Sequence, residues 1–160
     1  MYIVKSRGTK FIGNQVCRFE EGDLTFIGRD IPHYFRNDEM YYEPTNFGQA
    51  RSIFIHFDPL FLGNFFFDIP EFKKIKQLLA DASLALQIEG ETRSSVIEIL
   101  IRIEFEDVAK RILSLLQILD ILSKSNDLRP ILSTAFIGKS NHDTDKINKV
   151  FNYTSNRVNL

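Results

Sequence analysis

The sequence predicts an α+β protein in which strands come first and helices follow. Three observations carry that prediction. Glycines and aromatics concentrate before about Asp68, leucines and isoleucines at helical spacing dominate after it, and the hydrophobic period shifts near Pro70 from two to about 3.6. At 160 residues the chain is long enough to bury a single core without a disulfide or structural metal.

Short β-prone runs occupy Tyr2 to Val4, Lys10 to Ile12, Gln15 to Phe19, Leu24 to Ile27, His33 to Arg36 and Ser52 to Phe57. Gly8, Gly13, Gly22, Gly28, Gly48 and Pro32 punctuate them at turn spacing. Strands so spaced suggest a sandwich or small barrel over residues 1–67. No crossover helix fits between them, so the pairing is expected to be antiparallel.

A helical region is expected over 68–125. Pro70 and Glu71 open a helix with Phe72, Ile75, Leu78 and Leu79 on one face and Lys73, Lys74 and Lys76 on the other. A second helix runs from about Thr92 to Ile103, with Val96, Ile97, Leu100 and Ile103 aligned. A third spans Phe105 to Lys124, where Val108, Ile112, Leu115, Leu116, Leu119 and Leu122 form a stripe widened by Ala109, Leu113, Ile118 and Ile121. So broad a stripe needs burial on more than one side, by neighbours in its own domain or by a partner chain. In the second case Ile112, Leu115, Leu116, Leu119 and Leu122 are the interface. Residues 126–142 read as a linker, and 143–160 resume a helical pattern that has little after it to pack against, as at the start of a truncated further domain.

Composition removes several functions. A formal net charge of −1 gives no global basic field for nucleic acid, so DNA binding by this chain alone is not expected. The single cysteine, Cys17, has no internal disulfide partner, and no signal peptide is evident, so a cytoplasmic location is expected. The longest nearly apolar stretch, Ile112 to Leu122, is broken by Ser114, Gln117 and Asp120 and falls short of the ~20 residues of a membrane span.

Catalytic motifs are missing too. There is no G-x-S-x-G elbow, phosphate-binding G-x-x-x-x-G-K or G-x-G-x-x-G. His33, His56 and His142 include no His-x-His pair of the kind that gathers a metal, and no metal or cofactor is expected. The acid pairs Glu20/Glu21 and Asp38/Glu39 sit in turn-like segments. Phe65-Phe66-Phe67 reads as the seam where helices dock on the β half. What remains is a concave aromatic site. If the strands close into a barrel, His33 and Phe35 share a face and Tyr34 and Arg36 take the other. His33, His56 and Arg18 are then the polar groups of a small-molecule site, with Phe26, Phe35 and Tyr42 as its walls.

Glu21-Gly22-Asp23-Leu24-Thr25-Phe26-Ile27-Gly28, followed by Pro32-His33 and Asn37, resembles the second characteristic stretch of cupin barrels. Together with Arg7-Gly8-Thr9-Lys10-Phe11-Ile12-Gly13, Ile55-His56-Phe57, Leu62-Gly63 and Pro70-Glu71, it looks like the sensor domain of AraC-type transcription regulators. Arg111 to Leu116 is similar to that family's linker-proximal helix, and Asp145 to Tyr153 to the first helix of its DNA-binding half. The resemblance implies a cupin-like antiparallel barrel (a double-stranded β-helix), a small-molecule effector such as a sugar, a homodimer formed by the helices, and DNA reached only through a helix-turn-helix domain lying mostly beyond Leu160. It implies no enzyme activity. The alternative it leaves open is a small metal-dependent cupin isomerase or oxygenase, against which the stretch Thr9 to Arg18 lacks the family's metal-binding histidines. The resemblance also places a further family strand or two before Met1.

Overall fold

The computed structural model describes residues 1–133. Its elements in chain order are β1 (Tyr2–Lys5), β2 (Gly8–Ile12), β3 (Gln15–Phe19), β4 (Thr25–Phe26), β5 (His33–Asn37), β6 (Arg51–Ile53), α1 (Lys73–Asp81), β7 (Leu86–Ile88), α2 (Gly90–Ile103), α3 (Val108–Ser123) and β8 (Leu128–Pro130). The result is a mixed α+β arrangement with antiparallel sheets, none of which closes into a barrel among the described residues. The helix expected over 143–160 and the end of the 126–142 linker lie outside those residues.

β2 is the centre of a β3-β2-β5 sheet in which Lys10 faces Cys17 on one side and Phe35 on the other. A Cβ on Gly8 would come within 2.0 Å of the Arg36 carbonyl oxygen, so only glycine permits this approach. β1 pairs with β6, while β4 pairs with β7, which pairs with β8. The expected order of strands then helices is therefore corrected by β7 and β8, which complete the sheet begun by β4. β8 also lies in the stretch expected to be linker, and Leu132 just beyond it is buried. Three residues are too few for a period of two to stand out between helical patterns.

The expected strand Ser52 to Phe57 pairs only over Arg51–Ile53, because its partner β1 runs out opposite it. Pro70–Phe72 forms a 3₁₀ turn before α1. α3 begins at Val108 rather than Phe105, since the Asp107 side chain accepts from the Lys110 amide at 3.0 Å and caps the helix there.

The main hydrophobic core joins strands to helices: Tyr2, Leu24 and Ile53 from the β1 and β4 region and β6, Ile75 and Leu78 from α1, Val96 and Leu100 from α2, and Leu115, Leu119 and Leu122 from α3, while Ile12 of β2 belongs to a second, smaller cluster with Ile31, Ala85 and Leu132. The three α3 leucines were expected at a dimer interface and are instead held by α1, α2 and the sheets, with Leu119 0 % exposed. Only the first turns of α3 keep an apolar face in solvent. Phe66 and Phe67 pack against Phe72 in the expected seam, and Phe65 points away.

The two larger sheets are joined by a polar knot. Lys10, buried on the inner face of β2, donates from Nζ to both Asp23 carboxylate oxygens at 2.9 Å, to Gln87 Oε1 at 2.6 Å and to Thr25 Oγ1 at 3.2 Å. Gln87 Nε2 returns a bond to Asp23 at 3.1 Å, and Thr25 Oγ1 adds another at 3.0 Å. Among the described residues no buried side-chain nitrogen or oxygen is left unpartnered. A buried pair of this kind strongly resists loss of one member but tolerates joint replacement. Lys10→Met should therefore cost about 3–5 kcal/mol of unfolding free energy in urea titrations, and Lys10→Met with Asp23→Leu should recover much of it. A single variant as stable as the parent would show that the knot does not hold the sheets.

Candidate functional site

A cleft of about 570 Å³ opens between β4 with its continuation, β6 with the segment 54–59 that follows it, and the end of α1. Its walls are mainly apolar: Phe26 and Ile27 on one side, Ile55 and Phe57 on the other, with Leu79 and Ala82 of the α1 region behind them. The Phe26 and Phe57 rings stack with centroids 6.4 Å apart. Gly28 seals one end. Its amide donates to the Ala82 carbonyl at 3.0 Å, and a Cβ there would lie 2.5 Å from that oxygen, so the approach of chain to chain requires glycine.

The polar groups are few, as is usual for a site that gains affinity from apolar walls and orientation from a handful of donors and acceptors. His33 stands on β5 at the cleft margin, its Nδ1 2.8 Å from the Ile31 carbonyl oxygen. A carbonyl only accepts, so Nδ1 donates this bond, and Nε2 has no partner among the described residues. His56 lines the same cleft with its ring 5.0 Å from Phe54, and Arg29 and Asp58 lie at the rim. Thr25 belongs both to the cleft lining and to the Lys10 knot, which links the site to the sheet scaffold.

Of the residues expected to bind a ligand, the structure brings together His33, His56 and Phe26. The other three are elsewhere. Phe35 shares the inner face with His33 by register but packs in a small cluster around Ile12, Ile31 and Ala85 and against Phe19, with ring centroids 5.5 Å apart. Tyr42 is exposed in the turn Glu39–Tyr42. Arg18 lies on the outer face of β3, opposite to Cys17 and Phe19, where it bonds Thr9 and clasps Asp38. The expectation that Arg18 enters the pocket is corrected by this register. The residues missed were Phe57, Leu79, Ala82 and Gly28. Gly28 was visible only as a turn, and nothing in the sequence says that α1 folds back over β4.

Among the described residues no group of three or more His, Cys, Asp or Glu side chains converges as a metal site. No helix among them is long and apolar enough to cross a membrane. Cys17 is a free, half-buried thiol.

The Arg18 guanidinium bonds both Asp38 oxygens, at 2.9 and 2.8 Å, and with Arg7 nearby holds this carboxyl below the usual aspartate range. A carboxyl depressed in the fold adds stability above its unfolded value of about 3.9 and loses it as pH falls through the folded value. An NMR titration should place the Asp38 midpoint below about 3.9 and Arg18→Gln should return it toward that value. The same variant should leave the cleft resonances of His33 and His56 unmoved, and a large shift there would put Arg18 back in the site. Searches for related proteins found no matching family model, no matching curated protein and no matching solved structure.

Proposed function

We propose that this chain is the ligand-sensing and dimerisation part of an AraC-type transcription regulator, built on a cupin-like barrel and acting in the cytoplasm. The observation that supports this reading is the cleft itself, which sets His33, His56 and Phe26 around one apolar cavity of small-molecule size. The barrel of this proposal needs strands beyond the described sheets to close it. An effector in the cleft switches the protein only if it binds one arrangement of sensor and downstream domain better than another, by a coupling of about 1–3 kcal/mol. DNA contact belongs to the helix-turn-helix domain expected from 143 onward. For the metal-dependent enzyme reading, the described residues offer no cluster of three or more metal-binding side chains.

A second copy of the chain is proposed to cover the α2–α3 end. Ile101, Phe105, Val108, Ile112 and Leu113 are all exposed there, Phe105 at 85 % and Val108 at 76 %. Glu106 rims this face, bonded by Ser114 Oγ at 2.6 Å and by Arg102 Nε at 2.9 Å, which fixes the α2–α3 turn. Of the expected interface residues, Ile112 and the half-buried Leu116 are the ones positioned to take part.

Two outcomes test these assignments. In a thermal-shift screen of sugars and small acids, a compound that stabilises the chain should lose about fivefold in affinity with His33→Ala, the value of one hydrogen bond near 1 kcal/mol. Unchanged affinity by calorimetry would move the site away from His33. In light scattering with circular dichroism, Leu113→Asp should give a folded monomer whereas Leu119→Asp should unfold the chain, because the first charge is solvated and the second is buried without a partner. A dimer that survives Leu113→Asp would place the interface on another face.

A further inference from the structure

Phe105 stands in the turn Glu104 to Asp107 that joins α2 to α3, and among the described residues no large apolar side chain is more exposed. The turn that carries it is firmly held. The Phe105 amide donates to the Arg102 carbonyl at 3.0 Å, and the Arg111 guanidinium reaches back from α3 to the carbonyls on either side of it, Nε to Glu106 at 2.9 Å and Nη2 to Glu104 at 3.3 Å. A ring fixed on such a backbone loses little freedom when a partner buries it.

Beside the turn lies a groove of about 830 Å³, lined by Ile55, Phe57 and Phe61 from the segment after β6 and by Ile103, Ile112 and Leu115 from α2 and α3. Glu104 and Val108, at the two ends of the Phe105 turn, belong to the same lining. One patch of surface therefore carries both a projecting ring and an apolar hollow, the self-complementarity that a two-fold interface requires. The charges around it do not oppose a second copy. Arg51 pairs with Glu104, Arg102 with Glu106 and Lys110 with Asp107, so these carboxylates and cations cancel. A rim of one sign would repel its own copy and draw a partner of the opposite sign, and this rim does neither.

We propose that Phe105 of a second copy of this chain inserts into the groove, and that the exchange is reciprocal, each copy giving one ring and receiving one across a two-fold axis. The inference rests on the reading that a second copy covers the α2–α3 end, and it names the anchor and its receptacle. The exposed Val108 and Leu113 exclude water around the inserted ring. That ring then bears on Ile55 and Phe57, which also line the ligand cleft, so effector binding and dimer formation act on one segment.

The test uses two variants of the full chain at positions exposed enough to leave the monomer's core intact, which circular dichroism checks. Phe105→Ala removes the ring, and Val108→Glu puts a carboxylate at the groove in the first turn of α3, where a helix accepts negative charge. In sedimentation equilibrium each alone should raise the dimer dissociation constant about a hundredfold or more, because both copies of the contact are lost. Mixed, the two variants should form a heterodimer, detected by native mass spectrometry, that is about tenfold or more tighter than either variant's homodimer, since one intact ring meets one intact groove. A heterodimer no tighter than the better homodimer would overturn the exchange, because in a flat apposition of faces the losses simply average. A dimer that survives Phe105→Ala but is lost with Leu113→Asp would also overturn it while leaving the second-copy reading in place. A parent chain that stays monomeric in concentrated solution would sink both.

Discussion

The arrangement depends on a lysine held out of water. Lys10 is at the middle of β2, the middle strand of its sheet, and its ammonium group is enclosed by groups from the other sheet and the turn leading into it: Asp23, Thr25 and Gln87. An ammonium group isolated in a protein interior would be prohibitively unfavourable, so the sheets must meet where Asp23 and Gln87 can reach it. The requirement is directional, unlike the apolar core, and it fixes the position of β4 and β7 relative to β2. Because Asp23 also accepts from the Ile3 amide through its carbonyl, β1 is drawn into the same alignment. The cleft is a by-product of that geometry, since β4 and its continuation form one wall.

The apolar helices close the other side. α3 acts as a wedge whose C-terminal half is core and whose N-terminal end is not. Leu119 and Leu122 are enclosed, while Val108 and Leu113 on the same helix face solvent. A single helix thereby serves two needs that its sequence presents as one broad stripe. The segment 54–57 connects the two functional regions, because it forms a wall of the ligand cleft and also of a groove of about 830 Å³ shared with Ile103, Val108 and Ile112. A ligand that moves this segment would be felt at the α2–α3 end, which gives the proposed sensor a short physical route from effector to partner surface.

Much of this was legible in the sequence, for reasons that differ by element. The strands from Tyr2 to Asn37 announce themselves through alternation and glycine turns, and β5 places His33 and Phe35 on one face because a strand's period is two. The three helices follow from their 3.6-residue spacing. β7 was not legible: it is three residues long, and the turn before it is made by Ala85 at φ 46°, a left-handed value that sequence patterns reserve for glycine. The pocket assignment of Arg18 failed on register, since one residue decides the face of a strand and Cys17 holds the inner position. The division of α3 between core and surface failed because amphipathicity reports how wide an apolar stripe is and not what covers each turn of it. Lys10 was the largest omission. A lone lysine in a strand reads as solvated, and only the long-range partners Asp23 and Gln87 reveal it as buried.

The most direct test of the central claim, that the cleft is a ligand site in a dimeric sensor, is a high-resolution crystal structure of the purified chain. The account predicts density for a small molecule in the cleft lined by Phe26 and Phe57, beside a two-fold pairing of the Val108 to Leu113 faces. A monomer whose cleft is filled by its own side chains would contradict it.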